Sequence, residues 1–157
     1  MLKEELRRKK RGRGMKQNKW LAYFLYGVLL LGYFVLGHIM LEYLNAQRIK
    51  TFVILPYEIG STIIYSVGGI LLGLEKFIVE VEKKGSWKVN WPKVIFLGVP
   101  LVYLAFGIFI GHIPISFGRK ILWYPFSLLY FSKVDLVPIF QLAFGYIFIT
   151  SFMKIKK

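Results

Sequence analysis

The sequence predicts an all-α membrane protein, a four-transmembrane-helix bundle with an interfacial or re-entrant segment between helices 3 and 4. Three observations predict it. Of 157 residues, 56% are hydrophobic and 18% aromatic, and the mean hydropathy of +0.54 lies far above that of soluble domains. The apolar residues gather in four blocks, 20–41, 51–74, 94–116 and 136–153, whose only ionisable side chains besides tyrosine are His38, Glu58 and His112. The Lys and Arg residues fall mainly on alternate connections between those blocks.

Each block has the roughly 17–25 residues a helix needs to cross the hydrocarbon at about 1.5 Å per residue. A barrel strand would show about ten residues of alternating polarity, and no such alternation occurs. Backbone amides in lipid must be satisfied within their own segment, so uninterrupted apolar runs of this length are helices.

Residues 1–19 form a basic cytoplasmic amino-terminal segment with nine Lys or Arg side chains. Gly12 and Gly14 interrupt any amphipathic face, so a disordered or loosely helical stretch is expected, drawn to anionic lipid headgroups. The transmembrane domain then spans 20–153. Trp20, Tyr23 and Tyr26 open the first helix with the amphipathic aromatics found where a span meets headgroups. The run is too long for a signal core, and Glu42-Tyr43-Leu44-Asn45 offers no small-x-small cleavage pattern, so the helix is retained.

In the second block Pro56 lies one turn in and should kink the helix. The block fades into 75–84, where Glu80 and Lys84 are four apart on one helical face, and Gly85 stops it. Ser86–Lys93, with Trp87 and Trp91 among lysines, is expected to be an interfacial anchor. Pro100 should kink the third helix. The apolar stretch 121–131 is too short to cross, and merging it with the fourth block would place Lys133 and Asp135 inside the bilayer, which is costly. Pro138 sits near the start of the fourth helix, where its missing amide is harmless. Residues 154–157 are a basic tail.

The net charge of +14 is explained by its distribution. Seventeen Lys or Arg residues lie in 1–19, in the 75–93 connection and in the tail, against five at Arg48, Lys50, Arg119, Lys120 and Lys133. The positive-inside rule puts both termini in the cytoplasm, in a plasma or inner membrane. The charge is then a topology signal, and no nucleic-acid partner is expected. Cysteine is absent, which excludes disulfides, thiolate metal sites and cysteine nucleophiles. The hydrophilic pieces are too short to bury a soluble core.

One polar constellation stands out. His38 and His112 each fall about 27 Å along their helices, at the outer boundary, and Glu42 follows His38 by one turn. Glu58 lies about 10 Å inward on the second helix, with Gln141 at similar depth on the fourth. A carboxylate in hydrocarbon normally faces a partner, a cavity or a pathway, and by depth Arg119, His38 and His112 are the nearest candidates. This outlines an outward-facing binding site of His38, Glu42, Glu58 and His112, flanked by Tyr57, Ser61, Asp135 and Gln141. Two imidazoles and two carboxylates match zinc, manganese or non-haem iron by ligand type. No His-Glu-x-x-His or Glu-x-x-His spacing occurs, so no cofactor is predicted and a divalent metal stays an alternative use of the cluster. The plain alternative leaves His38, Glu42 and His112 idle among headgroups while Glu58 makes one interhelical hydrogen bond.

No nucleophile elbow or phosphate loop surrounds any serine or glycine, and no catalytic residue is predicted. Gly69-xxx-Gly73 and Gly107-xxx-Gly111 are expected to pack helices within the bundle. The expected role is non-enzymatic: an accessory, scaffold or partner-binding subunit whose partners are the lipid bilayer and a membrane protein or second copy of the chain. The alternative is a transporter or membrane-embedded enzyme that uses the outer cluster for a proton, an ion or a metal.

Overall fold

The computed structural model describes residues 2–110, 123–128, 130 and 135–155, with residues 2–19 and 110 described by backbone alone. The chain is mostly helical, and three helices are long and apolar enough to cross a membrane: Trp20–Thr51, Leu55–Glu82 and Trp91–Phe109. The fourth apolar block yields a shorter helix, Val137–Thr150. His112, Arg119 and Gly111, and much of the 121–131 stretch, lie outside the described residues.

Two compact units divide the chain, Met1–Leu36 and Gly37–Lys157. The first is the leading part of one continuous helix, α1 (Leu2–Thr51). Gly12 and Gly14 do not interrupt it, a correction to the expected loose segment; the Lys, Arg, Glu, Leu and Met residues around them are strong helix formers. The helix also runs past the expected end at residue 41, because Glu42, Leu44, Ala46, Gln47 and Arg48 favour continuation.

The second unit begins within α1, which ends at a left-handed residue, Phe52, with φ 57°. That conformation is rare for a side chain of this bulk. The Thr51 hydroxyl supports the turn by donating to the Gln47 carbonyl at 2.8 Å and accepting from the Val53 amide at 3.4 Å. Helix α2 (Leu55–Glu82) starts beyond it. Pro56 therefore sits in the first turn of α2, where no intrahelical hydrogen bond is lost, instead of kinking an established helix.

At 28 residues α2 is about 42 Å long, more than the roughly 30 Å hydrocarbon, so its charged last two turns extend past an apolar span. Glu80 pairs with Lys83 there, not with Lys84 as the spacing suggested. Gly85, with φ 153°, reverses the chain into a strand that sequence reasoning missed. Strand β1 (Ser86–Val89) pairs antiparallel with β2 (Phe152–Ile155), in the register Ser86 to Ile155 and Val89 to Phe152. The Trp87 ring stacks on Phe77 at 5.5 Å and takes the Lys154 ammonium at 4.9 Å.

The Asn90 side chain caps α3 (Trp91–Lys93) by accepting from the Lys93 amide at 3.3 Å. A π turn (Val94–Gly98) and α4 (Val99–Ile110) follow. Pro100 accounts for the π turn. It has no N–H to offer the Phe96 carbonyl and its ring presses on that group, and the backbone widens one step earlier so that Val99 donates to Val94. Residues 123–128 form α5. Helix α6 (Val137–Thr150) opens with Asp135 accepting from the Val137 amide at 3.1 Å and with Pro138 in its first turn.

α6 packs on both α2 and α4. Its contact with α2 is backbone to backbone. A Cβ at Gly69 would run into the Leu142 carbonyl, and one at Gly145 into the Ser66 carbonyl, so neither helix has room for a side chain. Gly73 faces Ile149 and Thr150. The space left by Gly107 is filled by the Phe126 ring, which joins Ile108 and Val137 in a small core flanked by Tyr103, Trp123 and Tyr130.

Candidate functional site

Glu58 enters from the first turn of α2 because Pro56 fixes where that helix begins. Its side chain is buried, with 4% of its surface exposed. The Tyr130 hydroxyl donates to Glu58 Oε1 at 3.0 Å. Tyr130 is placed by Phe126, which stacks on it at 5.6 Å while its other side occupies the gap at Gly107. A glycine on α4 thus positions, through one ring, the hydroxyl that reaches a carboxylate on α2.

Burial and the neighbouring Glu58 carboxylate push the Tyr130 phenol up to about 12, since both oppose a second negative charge. Next to Glu58, the Arg48 guanidinium lies 4.4 Å from the centroid of the Tyr57 ring, a cation–π contact.

One turn further along α2 the network continues around Gln141, which is fully buried. The Thr62 hydroxyl donates to the Glu58 carbonyl at 2.8 Å and accepts from Gln141 Nε2 at 2.9 Å. Gln141 Nε2 also donates to the Ala105 carbonyl at 3.3 Å, and its Oε1 accepts from the Ser61 hydroxyl at 3.4 Å. The amide thus links α2, α4 and α6 through both its ends. In surroundings without water, such a set holds helices in register more than it binds a guest.

His38 and Glu42 lie elsewhere. Their side chains are 72% and 71% exposed, 3.5 Å apart, and form a surface pair on α1. Among the described residues no three His, Asp or Glu side chains converge as a metal ion requires. Of the sequence-derived constellation, the structure joins Glu58, Ser61 and Gln141 and sets His38 and Glu42 apart. Thr62, Phe126 and Tyr130 were missed. Thr62 follows Glu58 by one helical turn, and the bare Gly107 opposite an aromatic-rich 123–131 stretch was the available sign of the other two.

No protein family, curated protein or solved structure matches this chain. The geometry has therefore to carry the functional reading alone. Two cavities flank the carboxyl-terminal half of α6. One, of about 420 Å³, is an apolar groove between the π turn and Phe144, Phe148 and Phe152. The other, of about 350 Å³, is polar and lies between the ends of α2 and α6 and the start of α3. Neither reaches Glu58 or Gln141.

Proposed function

We propose that the chain is a multi-pass protein of the plasma or inner membrane that acts non-enzymatically, as an accessory or scaffold subunit holding a membrane partner. The observation that carries this reading is that the polar groups around Gln141 and Glu58 are spent on one another, although Asn45 Oδ1 and Ser66 Oγ stay buried without a partner among the described residues. Gln141 with Thr62, Ser61 and Ala105, and Glu58 with Tyr130, tie helices together, and the two cavities beside α6, lined by described residues, reach neither centre. Large apolar side chains such as Ile39, Met40, Ile59, Ile63 and Ile139 remain outward, available to lipid or to another protein.

Four crossings with both termini cytoplasmic fit the same facts. The β1–β2 pairing brings residues 86–89 beside 152–155, which supports an even number of crossings between them. At 14 residues, about 21 Å, α6 returns across a full bilayer only by recruiting its flanks or by thinning the lipid around it. The charge bias supports a cytoplasmic position for that shared side.

A photoreactive side chain at Ile39 or Ile63, in the full chain in its native membrane, tests the reading. One discrete protein adduct, its mass showing either a second copy or a defined partner, supports it. Lipid adducts alone, together with a single-chain mass after gentle extraction, would refute it.

The buried Glu58 carboxylate favours a second reading, a proton- or ion-handling role, because such a charge is costly in hydrocarbon. That role requires proteoliposomes of the wild-type chain to pass protons or cations and Glu58→Gln, folded and inserted, to abolish the flux. Equal flux from both removes it.

A further inference from the structure

The polar cavity of about 350 Å³ contains two lysines that the closed interior network does not use. Lys76, from the last third of α2, and Lys93, at the end of α3, bring their ammonium groups to 5.4 and 5.9 Å from the centroid of the same Tyr146 ring. Lys93 Nζ donates to the Thr150 carbonyl at 3.0 Å and to the Thr150 hydroxyl at 2.5 Å, which fixes its position and leaves its third N–H free. Among the described residues, neither lysine has a carboxylate within ion-pair distance. Glu80, in the same wall, is engaged by the Lys83 ammonium and by the Lys154 amide at 3.1 Å. Two like charges held toward one ring, beside a cavity and with Glu75 nearby but out of ion-pair contact, can receive an anion between them.

The position selects the kind of anion. The cavity lies where three helices end, next to the β1–β2 pair, with Trp87 and Trp91 close by in sequence, the level at which a span meets headgroups. Glu75 also lines it and disfavours a free, doubly charged ion. We propose that Lys76 and Lys93 hold the phosphodiester of a membrane phospholipid in this cavity, as a specific headgroup site separate from the basic amino-terminal segment. The two ammonium groups receive the phosphate oxygens, and Asn90 offers its amide from the same wall.

Mass spectrometry of the delipidated full chain, titrated with defined lipids, tests this. Phosphatidylglycerol and phosphatidylethanolamine should each add one tightly retained molecule, while diacylglycerol with the same acyl chains binds at least tenfold more weakly. Equal retention of diacylglycerol would show that the acyl chains, not the phosphate, are recognised, and would overturn the proposal. Inorganic phosphate or glycerol phosphate that displaced the lipid at micromolar concentration would also overturn it, in favour of a free-anion site. These arms use the wild-type chain and need no variant. Lys76→Gln with Lys93→Gln should lower retention at least tenfold, and Lys88→Gln on the exposed face of β1 should leave it unchanged. Equal loss in both variants would mark general surface charge and refute the site.

Discussion

Replacing Gly69 with alanine adds one methyl group to a contact between α2 and α6 that is as close as any at the described glycines. The new carbon would stand 2.8 Å from the Leu142 carbonyl carbon and 2.9 Å from the Tyr146 nitrogen, with the Leu142 oxygen nearer still. Real Cβ contacts do not fall below 3.0 Å, and the obstacles are backbone atoms that no rotamer change can move. The Leu142 oxygen is the nearest of the three, so α6 must retreat by about 1 Å. A gap of about 0.5–1 Å forfeits a quarter to a half of each contact well of about 0.1–0.2 kcal/mol. Over on the order of fifty heavy-atom pairs, comparable with one buried leucine, that is about 3 kcal/mol. The better helix propensity of alanine returns up to about 1 kcal/mol. The expected net loss is about 2 kcal/mol, roughly thirtyfold in the unfolding equilibrium. Unfolding of the purified chain in mixed micelles of rising dodecyl sulfate, followed by tryptophan fluorescence, measures it. Gly98→Ala is the control, since its methyl would meet only Val94 Cγ1 at 3.7 Å and should change stability by less than about 0.5 kcal/mol. Gly145→Ala should resemble Gly69→Ala, and the double variant should cost less than the sum, because one separation relieves both clashes. If Gly69→Ala unfolds with Gly98→Ala, the backbone contact between α2 and α6 is wrong.

Gln141→Leu keeps the volume but removes the amide shared by three helices; a loss of about 1–2 kcal/mol in the same titration is expected, and no change would show that the polar core is dispensable. In an alkaline absorbance titration of the folded chain, Tyr130 should ionise near 12, and Tyr130→Phe should remove that step. Its raised value means that the associated stabilisation is complete below pH 10 and disappears as pH rises through about 12; a Tyr130→Phe variant with an unchanged titration would contradict the contact with Glu58. Truncation after Ser151 removes β2, and amide exchange at Ser86–Val89 should accelerate at least tenfold, whereas unchanged protection would mean that the strands do not pair.

What the sequence revealed and what it concealed follow from the range of each interaction. Apolar run length is a local property, and it marked the helices of all four blocks, although the last proved shorter than a span. Helical rise is regular, and Gln141 packs against Ser61 and Thr62, within one turn of Glu58 on α2. Rotation about the helix axis is set by packing, which is why His38 was grouped with Glu58 although its side chain is exposed on α1. The proline effects were half legible: Pro100 does disturb its helix, but as a π turn, and Pro56 is absorbed by a helix start that depends on the unexpected left-handed Phe52. Strand β1 was hidden because Ser-Trp-Lys-Val acquires its conformation from Phe152–Ile155, more than sixty positions away, and neither tetrapeptide has an amphipathic alternation long enough to read.

The β1–β2 ribbon also has a consequence for how the protein is made. During synthesis β1 leaves the ribosome well before its mate; at about 5–20 residues per second, the intervening 60-odd residues take roughly 3–13 s. For that time its amides are an open edge, and the two ends of the segment between the strands are untied. Because β2 follows α6 directly, the two tetrapeptides can meet only once α6 has been made, so the ribbon works as a latch that closes late. Biogenesis factors and proteases would therefore encounter an unlatched and a latched form of the same polypeptide, distinguishable by nothing more than eight residues.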